Sequence, residues 1–300
     1  TGNQTAGYYK EKIRSAAFFG DLNIGWKNMI YLGATGRYEW STTMPEDNLA
    51  YFYPSVNLGF VFTELPILKD NNILSFGKLR ASYAVTANYA DPYSTVMTYG
   101  VSGAGDGWTG GITFPIGGVN GFANSYTLFS NNLSHELMTT YEVGAEFRFL
   151  NDRYGIDVGY FKNTNEDLLM AVPIARSSGY GFKYMNIGVM ESYGWEVSVN
   201  LAPVRTNDFT WDIMANFTQI DNPVKSLAEG VENLFLGGFV DPQIRAVAGQ
   251  EYRSVYGYDY YRDGSGNLVV NDDPTDSYRD GFPMTDGNNM IPLGTVNPDW

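Results

Sequence analysis

A chain of 300 residues with a formal net charge of −14 and an isoelectric point near 4.4 argues against a nucleic-acid-binding surface, since phosphate backbones require stripes of Lys and Arg. The lack of cysteine removes disulfides, thiolate catalysis and zinc–thiolate sites and suits an oxidising envelope compartment. Charged residues make up only 17% while aromatics reach 16%, with 23 Tyr, a residue whose ring tolerates lipid and whose hydroxyl tolerates water.

There is no run of 18 apolar residues, so no transmembrane helix is expected. The opening TGNQTAGYYKEK has none of the charged-then-apolar layout of a signal peptide. A membrane strand is apolar only at alternate positions, so a mean hydropathy of −0.24 is compatible with a membrane-resident β-protein.

Alternation predicts eight strands. The first, about 16–26, places Phe18, Leu22, Ile24 and Trp26 opposite Phe19, Asp21 and Asn23. A tight connection at Lys27-Asn28 leads to the second, about 29–40, with Ile30, Leu32, Ala34, Tyr38 and Trp40 against Thr35, Arg37 and Glu39. The third, 54–62, alternates Val56, Leu58, Phe60 and Phe62 with Ser55, Asn57 and Gly59; the fourth, about 75–86, sets Leu79, Ala81, Tyr83 and Val85 against Lys78, Arg80, Ser82 and Thr86. The fifth, 139–149, has the cleanest pattern. Tyr141, Val143, Ala145, Phe147 and Phe149 are apolar, while Glu142, Gly144, Glu146 and Arg148 are small or charged. It has about the ten residues that cross a bilayer at barrel tilt. Asn151-Asp152 turns it into the sixth, with Tyr154, Ile156, Val158 and Tyr160 opposite Gly155, Asp157 and Gly159. The seventh, about 192–201, carries Trp195, Val197, Val199 and Leu201 against Glu196, Ser198 and Asn200. The eighth, 209–219, carries Phe209, Trp211, Ile213, Ala215 and Phe217 against Asp212, Asn216 and Thr218.

Connections at 27–28, 63–72, 150–153 and 202–208 are short or moderate. Those at 41–53, 87–138, 163–191 and from 220 onward are mostly longer and rich in Gly, Asn, Tyr and Asp. Short turns at one end and long loops at the other are the layout of a transmembrane barrel. The fold class read from these features is all-β, an antiparallel transmembrane β-barrel segment with long extracellular loops. Val143, Phe147, Val197 and Ile213 are then lipid-facing; Glu142, Glu146, Arg148, Asp157, Glu196 and Asp212 line the lumen. Trp26, Trp40, Trp195 and Trp211 fit either barrel girdles or ordinary core aromatics. Alternation alone also describes a half-buried soluble sheet. A soluble or cell-surface carbohydrate-binding sandwich is therefore the rival reading, and a simple porin with an open lumen a third.

Several segments in order resemble the barrel of the SusC/RagA-like TonB-dependent transporters of Bacteroidetes outer membranes. They are Ala17-Phe-Phe-Gly-Asp-Leu-Asn23, Tyr53-Pro-Ser-Val56, Leu74-Ser-Phe-Gly-Lys-Leu-Arg-Ala-Ser-Tyr83, Tyr141-Glu-Val-Gly-Ala-Glu-Phe147, Gly194-Trp-Glu-Val-Ser198, Val255-Tyr-Gly-Tyr258 and Leu293-Gly-Thr-Val-Asn-Pro-Asp-Trp300. No single match is specific; the ordered set is. The resemblance implies a barrel of about 22 strands closed by an N-terminal plug, of which residues 1–300 supply part of the barrel domain. That part is about eight strands over 16–219 and a long extracellular region over 220–300. Plug and TonB box are expected to be absent from this chain, and Trp300 to mark a truncation point. The resemblance further implies import of glycan oligosaccharides or peptides, a SusD-like surface lipoprotein as lid, a TonB complex acting through the missing plug, and outer-membrane lipids as surroundings.

No enzymatic constellation stands out. His135, the single histidine, lies near the start of the fifth strand and reads as a junction residue rather than a triad or metal-site member. No pair among the many carboxylates is singled out for acid–base work. No cofactor and no metal is expected. The segment Asp263-Gly-Ser-Gly-Asn267 has oxygen-bearing residues at alternate positions but lacks the glycine and acidic residue of a calcium loop. Asp272 and Asp273, with Asp276, Asp280 and Asp286, read better as a solvated acidic loop than as a calcium site. The Gly-rich loop 100–121 has no GK[ST] and is no phosphate cradle. The loop aromatics Trp108, Tyr89, Tyr93, Tyr126 and Tyr180 are the candidate substrate-binding surface.

Overall fold

The computed structural model describes residues 10–69, 71–105, 108, 111–275 and 280–298. Eight long strands form one antiparallel sheet. They are β1 (Ser15–Trp26), β2 (Ile30–Ser41), β3 (Ala50–Val61), β4 (Leu74–Asn88), β10 (Glu136–Phe149), β11 (Tyr154–Pro173), β12 (Phe182–Arg205) and β13 (Thr210–Asp221). Their spatial order is β1-β2-β3-β4-β10-β11-β12-β13, so each long strand pairs with the next one along the chain. Among the described residues, the excursion between β4 and β10 carries the short strands β5 (Tyr99–Val101), β6 (Gly103–Ala104), β7 (Ile112–Thr113), β8 (Phe122–Asn124) and β9 (Thr127–Leu128). After β13 come β14 (Val224–Ser226), which pairs with β12, and a separate four-stranded sheet. That sheet consists of β15 (Asn233–Gly238), β16 (Gln243–Val247), β17 (Ser254–Tyr260) and β18 (Thr285–Thr295).

Local chemistry explains the tight turns at one end of the meander. Lys27 and Asn28 both have positive φ (51° and 54°), as a two-residue hairpin matching the strand twist requires, and the Met29 N–H donates to the Trp26 carbonyl at 2.9 Å. Leu150, Asn151 and Asp152 also take positive φ, and the Arg153 N–H closes the turn on the Phe149 carbonyl at 3.0 Å. Between β3 and β4 the Thr63 hydroxyl accepts the Gly77 N–H at 3.2 Å.

The register puts unlike chemistry on the two faces. One row runs Leu32–Leu58–Ala81–Val143–Tyr160–Trp195 and the next Phe60–Leu79–Ala145–Val158–Val197–Phe217. On the opposite face a row runs Asn57–Ser82–Glu142–Phe161–Gly194, and another Lys78–Glu146–Asp157–Ser198–Asn216. The apolar face is uncovered: Val143 is 55% exposed, Trp195 and Phe217 51% each. A sandwich would bury these residues under a second sheet, so the soluble-sandwich reading fails on this face. Among the described residues no helix is long and apolar enough to cross a membrane.

The buried clusters lie at the long-loop end. Val172, Ile187, Val224, Leu234 and Ala246 form one, flanked by Leu168, Met170 and Met185. Met44, Ala90 and Leu133 form the other, flanked by Tyr89, Leu169 and Tyr184. These clusters correct the expected loop at 163–191. Here β11 and β12 run on as a paired ladder to Pro173 and Phe182. Leu168 and Met170 serve one cluster and Leu169 the other. With both faces apolar, the period of two is lost from the sequence. The third strand also starts earlier than expected, at Ala50 rather than 54. From 220 onward, where alternation gave no strands, β14 to β18 are present.

Candidate functional site

The charged face is built by spacing. Because β10 exposes even-numbered residues on that face, Glu142, Gly144, Glu146 and Arg148 stand in one file. Beside them the register sets Asp157 of β11 and Glu196 of β12. Asp212 of β13 shares its parity with Asn216, which pairs with Ser198.

Arg80 of β4 is the anchor. Its guanidinium reaches across β10 and donates two parallel bonds to Asp157, Nη1 to Oδ2 at 2.7 Å and Nη2 to Oδ1 at 2.6 Å. The crossing depends on glycine: a Cβ on Gly144 would lie 2.6 Å from Arg80 Cζ, and one on Gly159 3.4 Å from Nη2. Arg148 pairs with Glu146 on its own strand at 2.6 Å, and the Ser82 hydroxyl donates to Glu142 at 3.3 Å. Shallow hollows separate these groups. One of about 250 Å³ is lined by Glu146, Arg148, Asp152, Asp157 and Asn200. Another of about 240 Å³ is lined by Tyr31, Asn57, Lys78, Arg80, Ser82 and Glu142. Such a wall holds charge in water without the desolvation cost of a protein core.

The fork geometry is strong, but both side chains of the Arg80–Asp157 pair are a third or more exposed. Solvent screening therefore limits its worth. Asp157→Ala is expected to lower stability in urea titration by about 1 kcal/mol or less. A loss above about 2 kcal/mol would show that the pair is sealed from water.

Val143, Phe147, Val197 and Ile213 share the apolar face. Val143 is open to the surroundings, while Phe147 packs between Phe62 at 6.0 Å and Phe149 at 6.4 Å. Val197 sits between Val158 and Phe217, and Ile213 lies opposite Leu201. Tyr83–Tyr141 and Tyr160–Trp195 make ring pairs at 5.1 and 5.0 Å near the upper limit of that face. Just beyond, Glu191 bridges Lys162 at 2.9 Å and Lys225 at 3.0 Å.

The loop aromatics occupy separate places. Tyr126 packs edge-on against Phe182 at 5.7 Å with the Arg176 guanidinium 5.9 Å from its ring. Tyr180 is beside it, since the adjoining Gly181 N–H donates to the Tyr126 carbonyl at 2.9 Å. Trp108 is 94% exposed and Tyr93 about half exposed, both on the excursion between β4 and β10. Tyr89 belongs to a nest that the sequence reading did not assemble: its hydroxyl meets that of Tyr53, and both Tyr51 and Tyr89 pack on His135. The partners come from three distant segments; the one local signal was Tyr at 51 and 53, two apart and so on one face.

The acidic loops hold themselves. Asp263 accepts from the Asn267 side chain and from the N–H groups of Asn267 and Ser265, and these bonds, the Asn267 side chain foremost, hold its carboxyl below the usual range. Asp273 accepts from the hydroxyl and N–H of Thr275. Asp276 and Trp300 lie outside the described residues, as do Asp106-Gly107 and Thr109-Gly110 beside Trp108. Among the described residues no three His, Asp or Glu side chains converge as a metal site, Asp272 included.

Comparison with known proteins places this sheet in a family. Residues 1–288 match the TonB dependent receptor-like, beta-barrel family. The chain is 34% identical over 232 residues to the TonB-dependent receptor SusC of Bacteroides thetaiotaomicron, covering 76% of this chain and 22% of that protein. It is 27% identical over 314 residues to the TonB-dependent receptor P3 of Formosa agariphila, covering 97% of this chain and 30% of that protein. The solved RagAB peptide importer in its closed-closed state superposes with a TM-score of 0.73 at 20% identity, over 95% of this chain and 30% of that one. The chain thus spans less than a third of the length of these relatives.

Proposed function

Because the chain belongs to the TonB-dependent receptor β-barrel family, whose members are outer-membrane transporters and not enzymes, we propose that it forms part of the wall of an active importer. It is an outer-membrane protein of the SusC/RagA type. The observation that carries the transport reading is the single-layer sheet itself, with a bare aliphatic face on one side and a charged face on the other. In lipid every backbone group must be satisfied by neighbouring strands, and closure into a barrel does this. Among the described residues the outer edges of β1 and β13 carry no partner strand, and in this reading the rest of that barrel joins there.

In this reading Val143, Phe147, Val197 and Ile213 face lipid. The apolar face of β10 runs from Tyr141 to Phe149, about 27 Å of strand and roughly 20 Å of height at a tilt near 40°. Aromatic girdles at both ends complete the apolar band of about 25 Å. Glu142, Glu146, Arg148, Asp157, Glu196 and Asp212 line a wet lumen and receive a plug through polar contacts. Residues 220–300 form an extracellular region. Tyr89, Tyr93, Trp108, Tyr126 and Tyr180 supply loop surfaces for substrate. The substrate is a glycan oligosaccharide or a peptide, the lid a SusD-like lipoprotein, and TonB acts through a plug encoded elsewhere in the full-length receptor. One structural neighbour is a peptide importer, which supports the peptide class, while the glycan class rests on the family resemblance alone.

Uptake is the test. Cells lacking the full-length receptor are expected to lose import of either a labelled oligosaccharide or a labelled peptide pool, and to regain it on complementation only when TonB is present. Uptake that persists without TonB would reduce the protein to a porin.

A further inference from the structure

The longest excursion, residues 89–135, is closed at its base by its own two ends. Tyr89 and His135 meet edge-on with ring centroids 5.3 Å apart, and Tyr51 of β3 packs on the imidazole from another side, also at 5.3 Å. His135 is only 6% exposed, and its Nε2 is buried with no hydrogen-bond partner. The preceding residues are pinned as well. Asn48 Nδ2 donates to the Leu133 carbonyl at 2.9 Å. Ser134 and Asn186 exchange a reciprocal pair, the Ser134 N–H to Oδ1 at 2.8 Å and Nδ2 to the Ser134 carbonyl at 2.9 Å. Leu133 is fully buried with Met44 and Ala90.

This nest suits a neutral ring. An imidazolium carries two donors, and Nε2 has no acceptor to receive one. The charged groups around the nest engage its tyrosines or other partners, and none of them reaches Nε2. Glu39 takes the Arg37 guanidinium and also meets the Tyr89 side chain. Glu136 accepts from Asn88 Nδ2 and from the Leu169 N–H. Glu166 acts on Tyr51, and Asp91 on Tyr184. Nε2 is sealed by this chain's own atoms, so no other part of the larger receptor reaches it while the nest is closed.

We propose that His135 is an acid-sensitive latch: protonation drives the imidazole out of the Tyr51–Tyr89 nest and frees the base of the 89–135 loop. Burial holds the His135 pKa below its ordinary value. The latch is therefore at full strength above the unperturbed pKa of about 6.5. It weakens as pH falls through the lower closed-state value, and the opening constant rises about tenfold per pH unit between the two.

Hydrogen exchange on the full-length receptor in lipid nanodiscs, corrected for intrinsic rates, reads this directly between about pH 8 and about pH 5. Peptides from 89–135 are expected to lose protection by about tenfold, while those around the 27–28 and 150–152 turns stay constant. His135→Phe keeps a ring in the nest and removes the titration, so its profile is expected to be flat. His135→Gln, a second non-titrating variant, is expected to be flat at lower protection. Constant wild-type protection across this range would overturn the proposal, as would an acid response that persists in both variants.

Discussion

Val143→Arg is expected to lower the stability of the membrane-inserted barrel by about 2–4 kcal/mol, a drop of roughly 30- to 1,000-fold in the folded-to-unfolded ratio. Val143 stands one row from the central Ala145 row of the apolar face, flanked by Ala81 and Tyr160, and it is more than half exposed. In the proposed orientation nothing but lipid meets an introduced guanidinium there, and the girdle residue Tyr141 limits its path to the interface. Val197→Arg should behave alike, while Ile213→Arg, near the short-turn end, should cost less because depth governs the penalty. The control is the next residue. Glu142→Arg points to the other face, where water already bathes the side chain, and is expected to change stability by less than about 1 kcal/mol. Urea titration in lipid vesicles, followed by the heat-dependent gel shift of folded barrels, measures both. Equal losses at 142 and 143, or a greater loss at 142, would exclude the orientation.

That experiment depends on a face assignment that is visible in the amino-acid sequence, and it is instructive where such visibility stopped. Strands β1, β2, β4, β10 and β13 were legible to within a few residues at each end because lipid and water impose opposite chemistry on alternate side chains. The upper halves of β11 and β12 were not. There Leu168, Leu169 and Met170 serve two different apolar clusters, so a strand reads as a greasy run interrupted by polar residues. Asp167 adds to the break: its φ is 56°, opposite Gly188 at 51°, yet the pairing register continues unchanged from Glu166–Val189 to Leu168–Ile187. The Arg80–Asp157 fork was hidden for another reason. Each residue was placed on the charged face by parity, but their meeting across β10 needs the absent side chains of Gly144 and Gly159. The His135 nest needs three segments far apart in sequence, and no period encodes such a meeting.

Gly188→Ala is expected to be the most disruptive single methyl added to the upper region, with a cost of about 2–5 kcal/mol from a strained left-handed residue together with overpacking. A Cβ at 188 would lie 2.1 Å from the Ser226 carbonyl oxygen and 3.0 Å from Leu227 Cα. Both are backbone atoms, so no side-chain rotation relieves the contact. Ser226 is the end of β14, which pairs with β12 through Val189–Ser226 and Met190–Val224. Val224 is fully buried and its backbone exchanges hydrogen bonds with the 249–250 turn, Val224 N–H to Gln250 at 2.8 Å and Gly249 N–H to Val224 at 2.7 Å. Pushing β14 outward therefore pulls Val224 from the cluster with Val172, Ile187, Leu234 and Ala246 and loosens the β15–β18 sheet, whose contact with the wall runs through that cluster. The eight-stranded meander below is paired independently of β14 and should stay folded. Gly179→Ala separates the two contributions: Gly179 has φ 85° but open space around its Cβ position, so only the conformational cost of about 1 kcal/mol remains. Limited proteolysis within 222–295, read beside the gel shift of the intact barrel, is expected to show rapid cleavage in Gly188→Ala with the barrel shift retained. Cleavage no faster than in Gly179→Ala would mean that β14 gives way freely, and that the sheet beyond it is held by something other than the Val224 cluster.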